Sequence, residues 1–293
     1  MSKMNYDIKE ITSVFFNTNE IVGDVDHVVN NASNLDSCNH ESLVFCTYDD
    51  LAKVSAIQAG IVLAKLSLKN DITDFKSKCI VFCESPKFTF LKVLENLCDD
   101  SFTDEHYIIE DKSIRISKNA YVENGATIGS NSLIYPNTSI FKCASIGSNT
   151  IIQSSTVIGG NGLGDVLQDG KFHKFTHLGG VVIEDDVHIG CNVTVLRGML
   201  ENTRIGKGTR IANHVNVGHN AIIEEDVYIS AGVTIGGASV IKKGAWIAPG
   251  VSLIDHITVG ENTMIGTGAT VVKDALPNSV YFGSPAKHIR NRK

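Results

Sequence analysis

Histidine is the side chain best suited to exchange a proton near neutral pH, and this chain has ten. His214 and His219 stand in NHVNVGHN with four residues between them, and His256 lies in LIDHITV. His173 and His177 fall in GGNGLGDVLQDGKFHKFTHLGG, residues 159–180. Such a ring can take a proton from a nucleophile or ligate a metal; each is equally compatible with an ordinary turn. In the same run, Gly162 and Gly164 of NGLGD would let the backbone approach a ligand closely. They form no dinucleotide fingerprint, because no strand–helix–strand unit surrounds them. The seven cysteines are Cys38, Cys46, Cys79, Cys83, Cys98, Cys143 and Cys191. None forms a CxxC pair or has a histidine at motif spacing. They read as reduced, buried small hydrophobes in a cytoplasmic protein, not as covalent nucleophiles.

What positions these residues is a repeat. In steps of six from Ile116, an aliphatic residue recurs through Ile158. The series resumes at Ile183, Ile189 and Val195, slips by four residues, and runs again from Ile205 to Val271. A small residue often precedes each by two, as at Ala126, Ser132 and Thr138. A period of six means one short strand plus one turn, with one large aliphatic side chain pointing inward. Three repeats close a triangular coil of 18 residues, and stacked coils make a parallel β-helix. The expected fold is therefore mainly β, a β-helix preceded by a small α/β domain. Gly129, Gly147, Gly206, Gly218, Gly236, Gly260 and Gly266 follow the aliphatic residue, where a turn needing positive φ is expected. Residues 159–180 and 196–204 break the register, and solenoid insertions usually sit on one, often functional, face.

Residues 1–112 lack the repeat. SLVFCTY (42–48), AGIVLAK (59–65) and KCIVFC (78–83) read as buried strands. Residues 49–59 and 85–98 read as helices, the second with Ser85 as N-cap and Pro86 at its first position. The organisation is thus an α/β domain (1–112), a β-helix (113–275) and a short capping tail (276–293), with the first junction near 105–114. The chain has 293 residues, 43% hydrophobic and 20% charged, with a net charge of −6. That balance supports a packed core and argues against nucleic-acid or anionic-membrane binding. No apolar run reaches the ~18 residues of a transmembrane helix, and MSKMNYDIKE shows no secretory h-region.

Residues 154–200, followed by RIANHVNVGHN (210–220), resemble the UDP-3-O-acylglucosamine N-acyltransferases, the lipid A enzymes known as LpxD. The resemblance covers roughly residues 20–285. It implies a left-handed β-helix, a homotrimer with active sites between neighbouring subunits, and acyl transfer from a thioester to the amine of a nucleotide-linked sugar. No permanent cofactor is implied. By matched position it implies that His219 is the general base, that the Gly237 amide forms the oxyanion site, and that His256 is a second active-site histidine. It also implies that the N-terminal domain binds the nucleotide base, with Phe45 as a stacking aromatic. Asn220 would hold the His219 ring or bind sugar. Trp246 would pack or line a cleft between subunits.

The departures are specific. The second stacking aromatic is replaced by Leu51, with Tyr48 nearby. The Asp of the segment before the catalytic histidine is Ala212, and the D-R-G segment reads Leu196-Arg197-Gly198. The family's long C-terminal helical extension has no counterpart, and FGSPAKH resembles the ending of CoA-dependent hexapeptide acyltransferases. The expectation is an N-acyltransferase using acyl-CoA on a UDP- or dTDP-linked amino sugar for cell-surface polysaccharide. The alternative is the lipid A reaction itself, with acyl carrier protein as donor. A zinc enzyme like the γ-class carbonic anhydrases is a further alternative. It would need a third ligand beside His214 and His219, and His188 precedes His214 by 26 residues, not a multiple of 18.

Overall fold

A computed structural model describes residues 6–7, 20–71, 78–97 and 111–292. Cys98, most of the MSKMNYDIKE segment and the expected junction through residue 110 lie outside them. The chain divides into two units, Met1–Ser101 with Leu163–Thr176, and Phe102–Gly162 with His177–Lys293.

In the first unit, β1 (Glu20–Gly23), β2 (Asn31–Ala32), β3 (Ser42–Phe45), β4 (Ile61–Lys65) and β5 (Cys79–Cys83) form one sheet. Its order is β1-β5-β4-β3-β2, with only β1 antiparallel. The continuous apolar runs of β3 to β5 are buried on both faces, as parallel sheets require. Val44, Val62, Ile80 and Phe82 pack on one side with Val54 of α1 (Leu51–Ala56). Asp50 caps α1 by accepting the Ala52 N–H at 2.8 Å. This helix is shorter than the 49–59 expected. It stops at Ile57, which is extended, and the buried Lys78 ammonium donates to the carbonyls of Ser55 and Ile57. That cation satisfies carbonyls that further helix would otherwise have bonded. α2 (Pro86–Leu97) starts at the expected proline. The hairpin β6 (Val166–Gln168) and β7 (Lys171–His173) belongs to this unit. The Phe175 ring lies 6.2 Å from that of Phe90 and is buried.

Among the described cysteines, Cys46, Cys79 and Cys83 are buried, as expected, whereas Cys38, Cys143 and Cys191 are half-buried. Burial pushes the Cys79 thiol up to about 12, with Asp24 adding to it, and the Cys83 thiol to about 11. Neither forms a thiolate near neutral pH.

The second unit is a parallel β-solenoid. Short strands, mostly of two or three residues, stack into three sheets, of seven, eight and ten strands. Each aliphatic residue of the six-residue series sits over its counterpart one coil away, as in Ile205–Ile223–Ile241–Val259. All are buried except half-buried Ile116. Register partners lie 18 residues apart in regular coils, but 37 apart at Ile146–Ile183 and 22 apart at Ile183–Ile205. The two interruptions therefore bulge out while the core stack continues.

The second inward position holds Ser or Thr in many coils, and these hydroxyls are buried but satisfied. Thr156 Oγ1 donates to the Gly190 carbonyl at 2.7 Å and accepts the Val193 N–H at 3.1 Å. Gly159, after Ile158, has a positive φ of 90°, but Gly129, Gly147, Gly206, Gly218, Gly236, Gly260 and Gly266 do not, contrary to expectation. They are small because the next coil lies directly on them: a Cβ on Gly218 would stand 2.6 Å from the Gly237 nitrogen. The left-handed position is two residues further on, at Asn131, Asn149, Asp186, Asn220 and Ala238 among others. Asn and Asp reach that region most readily after glycine.

The tail caps the solenoid as a strand pair. β8 (Ser279–Phe282) continues the ten-stranded sheet and pairs antiparallel with β9 (Lys287–Asn291). No helix among the described residues is long and apolar enough to cross a membrane.

Candidate active site

His219 lies at a corner between the strands Asn216–Val217 and Ile222–Ile223. Its ring lies against Gly237 of the next coil. A Cβ on Gly237 would meet His219 Cε1 and Nε2 at 2.8 Å. Gly162 closes the other side, where a Cβ would lie 3.3 Å from His219 Cδ2 and 3.5 Å from Leu196 Cδ1. Two glycines thus make room for one imidazole, and Leu196 also lies close to Gly162.

Asn220 orients the ring. Its Nδ2 donates to the Glu201 carbonyl at 3.1 Å, and its Oδ1 accepts the Met199 N–H at 2.9 Å. Those two bonds assign the amide. Oδ1 also lies 3.1 Å from His219 Nδ1, so Nδ1 carries the hydrogen and donates. Nε2 is left with its lone pair, the state a general base needs. The left-handed conformation of Asn220, φ 58°, turns the side chain toward this loop, and its N–H donates to Thr203 Oγ1 at 2.9 Å.

The four-residue slip supplies these partners. Arg197 Nε donates to the Gly179 carbonyl at 2.7 Å, and Gly180 N–H donates to Asn202 Oδ1 at 2.7 Å. Met199, Glu201 and Thr203 had no signal of their own in the sequence beyond the broken register.

Of the expected site residues, the structure brings His219, Asn220, Gly237 and Gly162 together. The Gly237 carbonyl accepts the His256 N–H at 2.9 Å. The His256 side chain stays exposed, with only a 3.9 Å approach to Asp255. Among the described residues the Gly237 N–H donates to no protein acceptor. Phe45 and Gly164 belong to the other unit. Phe45 is half-buried, its ring 5.1 Å from that of Phe90. His214 is an exposed corner residue at φ 57°. No three His, Cys, Asp or Glu side chains among the described residues are grouped to hold a metal.

The bacterial transferase hexapeptide family, described as six repeats, matches residues 202–237 and 238–273. These segments contain His219, Gly237 and His256. A UDP-3-O-acylglucosamine N-acyltransferase of Methylorubrum extorquens (strain PA1) is 33% identical over 133 residues, 45% of this chain and 38% of that protein. The one from Pseudomonas paraeruginosa (strain DSM 24068 / PA7) is 34% identical over 156 residues, 53% of this chain and 44% of that protein. The chain therefore spans less than half the length of these curated relatives. Among solved structures, the Francisella novicida UDP-N-acetylglucosamine acyltransferase superposes with a TM-score of 0.53 at 23% identity, covering 61% of this chain and 66% of that one. The Campylobacter jejuni enzyme gives 0.50 at 22% identity, covering 60% and 75%. These two likenesses show the solenoid fold.

Proposed function

We propose that the chain is an N-acyltransferase that moves an acyl group from a thioester to the amino group of a nucleotide-linked sugar. One observation carries this reading: the His219 imidazole, its Nδ1 turned to Asn220, lies against Gly237, whose N–H meets no acceptor among the described residues. The amine attacks the thioester carbonyl and a C–N bond forms. His219 Nε2 accepts the amine proton while the Gly237 N–H donates to the oxyanion. Collapse breaks the C–S bond, and the leaving thiolate takes the proton back from His219. The chain needs no covalent intermediate for this sequence.

The names of the relatives favour UDP-3-O-acylglucosamine as acceptor, and with it the lipid A type of reaction, over the CoA-dependent surface-sugar enzyme expected from the sequence. Leu196 favours the second reading: it puts an apolar side chain close to Gly162 where the family pattern carries an acid. In either form the α/β unit recognises the nucleotide, with Phe45 at the base, and the enzyme works as a cytoplasmic homotrimer. A thiol-release assay decides. UDP- and dTDP-linked amino sugars are each paired with short acyl-CoAs, hydroxyacyl-CoAs and long-chain acyl carrier protein. Turnover with UDP-3-O-acylglucosamine and the carrier protein alone establishes the lipid A reaction. Turnover with CoA donors on other amino sugars establishes the second reading. No thiol release with any pair, from protein that folds normally, sinks both.

A further inference from the structure

The ten-stranded face of the solenoid carries a second recess, built from residues the proposed chemistry leaves unused. Trp246, Met264, Val280, Arg290 and Arg292 line an open recess of about 580 Å³. Trp246 and Met264 are neighbours on adjacent coils, and Val280 continues the row in β8. The Trp246 ring is held edge-on by Tyr228, one coil below, at 5.5 Å between centroids. The indole nevertheless stays 43% exposed, so an oriented aromatic face is left uncovered.

Both arginines come from the tail. Arg290 Nη1 donates to the Asn291 carbonyl at 3.1 Å, and Arg292 Nη1 to the Gly244 carbonyl at 3.3 Å. Neither guanidinium has a carboxylate partner among the described residues. In a chain of net charge −6, two unneutralised guanidiniums beside an indole are a local reversal of sign. A guanidinium fork binds phosphate through paired N–H donors, and an exposed indole takes a flat ring on its face.

We propose that this recess binds a nucleoside phosphate, with the base on Trp246 and phosphate oxygens on Arg290 and Arg292. The acceptor's nucleotide is assigned above to the α/β unit, so the source that fits this chemistry is the phosphoadenosine end of a CoA thioester. Binding is read without turnover, so it stands or falls separately from acyl transfer at His219.

Trp246 is the only tryptophan in the chain, so indole fluorescence reports this recess alone. The full-length protein is titrated with adenosine 3′,5′-bisphosphate, CoA, UDP, dTDP and, as a control, adenosine. The expected result is saturable quenching by adenosine 3′,5′-bisphosphate or CoA, weakened by salt and absent with adenosine. The double substitution Arg290→Ala/Arg292→Ala should weaken that binding at least about tenfold, through loss of two charge-assisted contacts, while its thermal midpoint stays near that of the parent. Binding of the adenosine phosphates assigns the donor; binding of UDP or dTDP alone overturns the proposal. The proposal is overturned if no nucleotide quenches at millimolar concentration, or if quenching survives the double substitution undiminished. It is also overturned if Trp246 emission is already that of a buried indole, insensitive to iodide, because a second copy covers the face.

Discussion

At the scale of single residues, the site depends on which ring nitrogen of His219 holds the hydrogen. Asn220 makes that choice through Oδ1, which is an acceptor toward both Met199 N–H and His219 Nδ1. Replacing Asn220 by Asp keeps an acceptor oxygen for Nδ1 but loses the Nδ2 bond to the Glu201 carbonyl, whereas Leu removes both. Asn220→Leu should cut kcat/KM by roughly 10²-fold, more than Asn220→Asp does, and equal rates for the two would remove Asn220 from this role. Gly237 tests the same ring from the other side. Its φ is not positive, so alanine fits the backbone, and the three atoms nearest its new Cβ all belong to the His219 ring. Gly237→Ala should leave the melting temperature within a few degrees of the parent. It should cut kcat by about 10²-fold or more, the scale of a lost oxyanion donor or displaced base. Equal losses of stability and rate would mean that Gly237 is merely packing.

The elements explain why some of this was legible and some was not. The six-residue aliphatic series could be read directly, because every coil repeats one demand: a large side chain inside and a backbone that closes. The corner glycines were assigned the wrong reason. Sequence cannot distinguish a residue that must bend from one that must leave room, and here Gly218 leaves room for the Gly237 backbone. The real left-handed positions fall three residues after the aliphatic one, and Ala238, at φ 54°, is the poorest fit among them. A Cβ in that region costs roughly 1–2 kcal/mol, and glycine carries its own entropy penalty of about 0.5–1 kcal/mol. Ala238→Gly should therefore stabilise the solenoid by up to about 1 kcal/mol, measured as a raised denaturant midpoint with an unchanged slope. A lowered midpoint would show that the Ala238 methyl group contributes packing that outweighs its strain.

At the scale of the whole molecule, the interruption after Ile158 is where chain order and spatial grouping part. Residues 159–180 read as an insertion of the repeat, yet Leu163–Thr176 groups with the α/β unit. The cause is visible in side chains that the repeat never needed. Phe175 is 1% exposed, its ring 6.2 Å from Phe90, and His173 meets Phe88 edge-on at 4.8 Å. A lone aromatic in a Gly-rich run carries no periodic signal, so its burial could not be read in advance. The solenoid core, by contrast, is drawn wholly from residues 114–281, and stacked coils are stabilised by their nearest neighbours. Phe175→Ala should therefore act on one unit only. Truncating a buried Phe costs about 3–5 kcal/mol, which for a small α/β unit is a large share of its stability. Hydrogen exchange should show the amides of 43–46 and 61–65 losing protection, while those of 205–265 exchange as slowly as in the parent. If both sets accelerate together, the two units unfold as one cooperative body, and the insertion serves the solenoid as much as the unit it joins.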